Sequence, residues 1–309
     1  MRAAFKHVVI SGASRAYRDM GKMRQIVDNI SPDSSKIAVI RPYKKGIIGE
    51  AEIVKIAILS KRTMVAAVVA VALIAAAIAA VTVTDSACVY LGYSPRLIPI
   101  YSVEREEKAV ALTFDAAWGA DRTEEISDII AEYDACATFF SVGMWADKYP
   151  DQLRMLSESG RFEIGTHSNT HPDMGGMSAT EIKEELTLSC DIIERVTGKR
   201  PELFRPPYGS YSDVLISSAS ELGLTTIQWD VDTLDWKGIS AGEIAERVLG
   251  SVRPGSIVLM HNNGEHTAEA LPLVLEGLKA MGYTFMTVGD MIYRDGYTID
   301  HTGRQIRSM

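Results

Sequence analysis

Ile257-Val258-Leu259-Met260-His261 is an unbroken apolar run closed by an imidazole, the pattern of a buried strand that carries a reactive side chain at its tip. Six further runs of this kind follow residue 106, at 109–115, 137–142, 162–166, 203–206, 225–232 and 284–288. Amphipathic segments at 123–133, 181–196, 242–252 and 268–281 alternate with them, and Ser178 with Glu181 forms a capping box at one helix start. Seven strands alternating with helices predict parallel βαβ units, an α/β fold that is either a barrel or a doubly wound sheet. In both, chemistry gathers at the C-terminal strand ends. Asp115, His167, Arg205, Asp232 and His261 all stand at or just past such ends.

Just beyond the run 162–166 lies Gly165-Thr166-His167-Ser168-Asn169-Thr170-His171, which holds two of the chain's six histidines. The H-x-x-x-H spacing puts both imidazoles on one side of a helical turn or tight loop, where they share a divalent cation of the zinc class. Water-driven amide cleavage needs a base for the water, an electrophile for the carbonyl and an acid for the leaving amine. A carboxylate at a strand tip, a two-histidine metal site and a separate histidine supply those roles. His266 and His301 sit in polar segments and read as surface residues, and Asp173 reads as a turn residue.

Charge divides the chain. Residues 1–63 hold 13 Lys/Arg against 5 Asp/Glu, whereas the remainder holds 19 against 35. A negative main domain argues against nucleic acid as a partner. Between the two lies Met64 to Val83, with Thr82 its only polar residue. Twenty residues at helical rise span about 30 Å, a bilayer's hydrocarbon core. Lys61 and Arg62 before it and Asp85 after it predict a cytoplasmic N-terminus and an extracytoplasmic remainder, a single-pass protein of the cell membrane. The competing reading, a cleaved signal peptide, has an apolar core of only about 7–15 residues. The expected organisation is a cytoplasmic region of no assigned role at 1–63, an anchor at 64–83, a stalk at 84–105, a catalytic domain at 106–297 and a tail at 298–309. Within the first region, Glu52–Leu59 alternates like a strand. Cys88, Cys136 and Cys190 fit no disulfide framework, and Cys136 and Cys190, inside apolar segments, read as buried free thiols.

The segment 106–295 resembles the polysaccharide deacetylases, the NodB-homology domains of carbohydrate esterase family 4. Five motifs carry the likeness in order: Thr113-Phe114-Asp115, Thr166-His167-Ser168-Asn169-Thr170-His171-Pro172, Phe204-Arg205-Pro206-Pro207-Tyr208-Gly209, Trp229-Asp230-Val231-Asp232-Thr233-Leu234-Asp235-Trp236, and Ile257-Val258-Leu259-Met260-His261. The resemblance implies a distorted (β/α)7-type barrel acting on N-acetylated cell-wall glycan. It implies Asp115 as general base, oriented by Arg205, and His261 as general acid, oriented by Asp235. His167 and His171 would hold zinc, cobalt or a similar divalent metal. The Tyr208 N–H would serve the oxyanion, and Trp236 with Leu259 would wall the acetyl methyl.

One position departs from the pattern. Where the family usually carries a second aspartate as metal ligand, this chain has Ala116, in Asp115-Ala116-Ala117-Trp118-Gly119. That form resembles a membrane-anchored subgroup associated with sporulation. Three consequences stand open: Asp115 itself ligates, the metal binds weakly and still works, or the domain keeps glycan binding without catalysis.

Overall fold

The computed structural model describes residues 96–308, together with 36–40, 56–60, 65–66 and 68–76. The chain divides into two compact units, 1–95 and 96–309. In the first, strands β1 (Lys36–Ile40) and β2 (Ile56–Ser60) pair antiparallel; of the strand expected over 52–59, residues 56–59 are strand and 52–55 lie outside the described residues. Residues 65–66 and 68–76 are helical with exposed Val65, Val68, Val71 and Ile74. Among the described residues no helix is long and apolar enough to cross a membrane. The remainder of the anchor expected over 64–83, most of the 1–63 region and Cys88 lie outside the described residues.

The second unit is built on an eleven-stranded sheet. Its parallel centre runs β10 (Ser256–His261), β4 (Ala109–Ala116), β5 (Ala137–Ser141), β6 (Phe162–Thr166), β7 (Leu203–Phe204) and β8 (Thr225–Thr226). Beside β10 lies the short β9 (Val231–Asp232), and β11 (Thr284–Phe285) pairs with the start of β4. Two-residue periodicity decides what each strand presents. On β4, Val110, Leu112, Phe114 and Ala116 pack into the cluster shared with the helices Thr123–Glu132, Ala241–Ser251 and Thr267–Ala280. Ala111 joins a second cluster with Phe140, Ile227 and Ile257 on the opposite face. Asp115 follows Ala111 by four residues and so shares that face. On β10, Val258 and Met260 face the helices, while Ile257, Leu259 and His261 face inward.

The barrel closes only through single residues. Ile100 forms an isolated parallel bridge to Ile227 beyond β8, and Ser102 pairs with Ser256 of β10. Two expected boundaries therefore move. The stretch read as a stalk over 84–105 contributes β3 (Ser102–Val103) to the sheet, because Ile100 and Val103 are apolar and buried. The stretch read as a tail over 298–309 contributes the hairpin β12 (Tyr297–Ile299) and β13 (Arg304–Arg307), which pairs with β3. The run 225–232 is two strands, not one. The Asp230 carboxylate between them turns to accept the Ile257 N–H and the Ser256 hydroxyl. The run 284–288 stops at Phe285, where Thr287 caps the short helix Val288–Met291. The helices Gly143–Lys148, Pro150–Glu158 and Asp213–Glu221 were not among the segments read from periodicity.

Candidate active site

Parallel register brings the first pair together: His261 on β10 stands directly opposite Asp115 on β4. Asp115 is buried, and its Oδ1 accepts from an Arg205 Nη at 2.8 Å. The same Nη reaches the Thr113 hydroxyl at 2.7 Å, the other binds the Gln228 carbonyl at 3.0 Å, and the guanidinium lies over the Phe140 ring. Arg205 is wholly buried, so its charge is held by these partners and not by water. Burial pushes the Asp115 carboxyl up, but Arg205 and then His167 and His261 outweigh it, leaving the group below the usual carboxylate range. Asp115 is a carboxylate at neutral pH.

The histidine pair stands on a tight loop after β6. Ser168 and His171 adopt left-handed backbone, with φ of 70° and 62°, a conformation L-residues with side chains rarely hold. Hydrogen bonds impose it. The Ser168 hydroxyl accepts the His171 N–H, and the Glu185 carboxylate accepts the N–H groups of Asn169 and Thr170 and the Thr170 hydroxyl. His167 Nδ1 lies 2.7 Å from the Arg205 carbonyl, a contact only a protonated Nδ1 satisfies, so the Nε2 lone pair faces the cleft. Burial drives the His167 pKa down to about 4 and lowers that of His171 as well. Both are neutral imidazoles at ordinary pH, the ligating form. Their ring centroids are 4.9 Å apart.

Two observations bear on whether a divalent cation fits. His167 Nε2 and Asp115 Oδ2 face each other at 3.5 Å as two acceptors, and the buried His171 Nδ1 has no hydrogen-bond partner. Both fit a cation held by His167 and His171 beside Asp115. Among the described residues no group of three His, Cys, Asp or Glu is arranged to hold a metal. A typical catalytic zinc site has three protein ligands, and the alanine at 116 supplies none.

His261 has a second support. Its Nδ1 lies 2.7 Å from Asp235 Oδ1, while Asp235 Oδ2 accepts the His261 N–H and the Thr267 hydroxyl. Burial favours the neutral ring, yet Asp235 first, then Asp115 and Asp232, raise the pKa above its usual value. Gly264 makes room for this arrangement, since a Cβ there would meet the Thr267 hydroxyl oxygen at 2.1 Å. Leu234, left-handed at φ 57°, starts the short turn Asp235–Lys237 that carries this carboxylate.

These groups open on one cleft of about 780 Å³, shared by Asp115, His167, His171, Asp235 and His261. Tyr208, read as the oxyanion donor, and Trp236 and Leu259, read as the wall for the acetyl methyl, also line it, as do Trp118, Trp229, Asp232 and Glu265. Arg205 sits behind the wall. His266 and Glu269 pair away from the cleft, His301 is exposed, and Asp173 caps a turn at Gly175. Cys190 is buried, Cys136 is half-buried, and both are free thiols. Sequence reasoning missed Glu185, Thr267, Asn262 and Trp118. Asn262 donates from its amide to the Gly119 carbonyl, fixing the loop that carries Trp118. Glu185 is one acidic residue among several on the helix Ala179–Thr197, and no spacing distinguishes it.

A near-closed α/β barrel thus gathers a buried carboxylate, a carboxylate-bound imidazole and two neutral imidazoles at one mouth. Residues 102–227 match the polysaccharide deacetylase family model. The chain belongs to the polysaccharide deacetylase family. It is 35% identical over 186 residues to a peptidoglycan-N-acetylglucosamine deacetylase of Bacillus cereus, covering 59% of this chain and 67% of that one. It is 31% identical over 197 residues to the peptidoglycan-N-acetylmuramic acid deacetylase PdaA of Bacillus subtilis, covering 62% and 74%. Among solved structures, a family 4 pseudoenzyme from Bacillus anthracis superposes with a TM-score of 0.61 at 35% identity, covering 62% of this chain and 68% of that one.

Proposed function

We propose that the protein removes acetyl groups from N-acetylated cell-wall glycan, releasing acetate and a free amino sugar. The observation that carries this reading is the opposite tuning of two groups set face to face on one cleft. Asp115 is held ionised and His261 is biased toward its protonated form, the division of labour that acid–base hydrolysis requires. Asp115 takes the proton from the attacking water, and Arg205 fixes its orientation. His261 delivers a proton to the departing nitrogen, and Asp235 stabilises the imidazolium. His167 and His171 would hold a divalent cation, which when bound would supply Lewis acidity to the acetyl carbonyl. Leu259 and Trp236 exclude water around the methyl.

The stretch 64–83, apolar but for Thr82, supports a membrane anchor that places this unit against the wall from outside. Protease accessibility of residues 96–309 on intact cells, with the N-terminus protected, is the expected result; protection of both ends contradicts it.

Two predictions follow from the tuning. Activity should fall at acidic pH, where His167, with its pKa at about 4, and His171 take up protons in competition with the cation; it should hold to above the ordinary His pKa and fall at alkaline pH as His261 loses its proton. Asp235→Asn removes the carboxylate that raises the His261 pKa, so the alkaline limb should move to lower pH. A pH–rate profile measures this, and an unmoved limb would take His261 out of the acid role.

Ala116 bears on the metal. The pleat carries its side chain toward the helices, among Phe114 and Val110. An unpaired carboxylate buried there costs several kcal/mol, whereas turning the last residue of a strand into strained backbone costs about 1–3 kcal/mol. Ala116→Asp should therefore turn toward His167 and His171 and tighten metal binding at least about tenfold, with some loss of stability. Calorimetric titration with zinc or cobalt measures it, and unchanged affinity refutes that ligand set.

The same alanine favours a second reading, a glycan-binding protein that has lost turnover, and the pseudoenzyme from Bacillus anthracis gives it a counterpart within the family. Complementation separates the two. The catalytic reading requires that His261→Ala fail to restore a deletion strain, while the binding reading requires that it succeed.

A further inference from the structure

The strand order β9-β10-β4-β5-β6 gives the cleft two unlike ends. Asp232 on β9 and the loop after β6 are four strand spacings apart, about 19 Å along the sheet. At the β6 end stand His167 and His171 with two exposed aromatic rings. Tyr208 lies 4.7 Å from His171 and Trp118 lies 6.0 Å from it. Trp118 is 68% exposed, yet its backbone is fixed, because the Gly119 carbonyl accepts from both the Trp145 indole and the Asn262 amide. An indole displayed to solvent on an immobilised loop is a preformed face for a sugar ring.

The β9–β10 end is acidic. The cleft is lined by Asp115, Asp232, Asp235 and Glu265, and by no lysine or arginine. Asp115 is balanced by Arg205 and Asp235 by His261. Among the described residues neither Asp232 nor Glu265 forms a salt bridge, and the His261 ring near Asp232 is already paired with Asp235. Arg247 binds only the Asp232 main-chain oxygen, and Lys237 stacks on the Trp236 ring. The Glu265 carboxylate hangs over Gly238, where a Cβ would meet its Oε2 at 3.3 Å. A cation on the two imidazoles stands at the other end and does not neutralise this wall.

We infer that the cleft selects an uncharged N-acetylhexosamine, the N-acetylglucosamine type, and turns away carboxylate-bearing sugars such as N-acetylmuramic acid, through Glu265 and Asp232. This inference rests on the proposed glycan substrate and narrows it. One like unit charge at contact range in an open, water-filled cleft corresponds to roughly a five- to tenfold change in affinity, and salt screens it.

The test uses the full-length chain and two tetrasaccharides. One is built of N-acetylglucosamine alone; the other alternates it with N-acetylmuramic acid bearing free lactyl carboxylates. Binding by calorimetry and acetate release are both read at low and high ionic strength. The expected result is about five- to tenfold tighter binding of the neutral ligand at low salt, narrowing at high salt. Glu265→Lys narrows the gap at low salt, while Glu265→Gln does so by less. Equal affinity, preference for the carboxylate-bearing sugar, a gap that Glu265→Lys leaves unmoved, or binding of neither ligand overturns the inference. If the preference holds and neither ligand yields acetate, the inference stands and the hydrolase reading fails.

Discussion

His261→Ala is expected to slow acetate release from an N-acetylated oligosaccharide by about 10²–10⁴-fold, the usual contribution of a positioned general acid. The reason is specific to this imidazole. Asp235 grips both its ring and its own N–H, at 2.7 Å in each case, so the ring is fixed against the cleft and biased toward carrying a proton. Alanine removes the proton donor but leaves Asp115, Arg205 and the imidazole pair in place. Glycan affinity should therefore change far less than turnover, and single-turnover rates beside equilibrium binding measure the two separately. Equal losses in both would make His261 a binding residue.

Arg205→Ala is the second large effect, and it acts on stability. Arg205 and Asp115 form an ion pair at 2.8 Å, with side chains 0% and 6% exposed. Removing one partner of a buried pair strands the other charge, at a cost of about 3–5 kcal/mol. The lost bonds to Thr113 and the Gln228 carbonyl add to the strain around β4 and β7. Asp115 also loses the group that holds its pKa down, so the stranded carboxyl takes up a proton on folding. The sign follows from linkage: a depressed carboxyl stabilises the fold above its ordinary pKa and loses that contribution as pH falls through its folded value. Wild type should keep this stabilisation down to acidic pH, whereas Arg205→Ala lacks it at neutrality. Denaturant melts across pH measure it; a loss below about 1 kcal/mol would mean that water solvates the site.

How much of this was legible in the chain follows from which signals are local. The inward-facing tips were readable because an apolar run ended by Asp115 or His261 has a single sensible reading as a strand. The helices 143–158 escaped because Tyr149 and Pro150 divide the segment into pieces too short for a clear period. The strands at 102–103 and 304–307 escaped for a different reason. They are two and four residues long and exist only because β10 and each other's edges pair them, a non-local cause. At the site, residue identities were readable but their supports were not. Glu185 and Thr267 act through contacts made 15 and 32 residues away. The pleat also places Ala116 toward the helices, which no reading of residue types reveals.

The most direct measurement is acetate release by the full-length protein on N-acetylglucosamine oligosaccharide, with zinc or cobalt supplied, beside Asp115→Asn and a chelator control. The account predicts release that both the substitution and the chelator abolish. Bound glycan with no acetate under any divalent metal would contradict it.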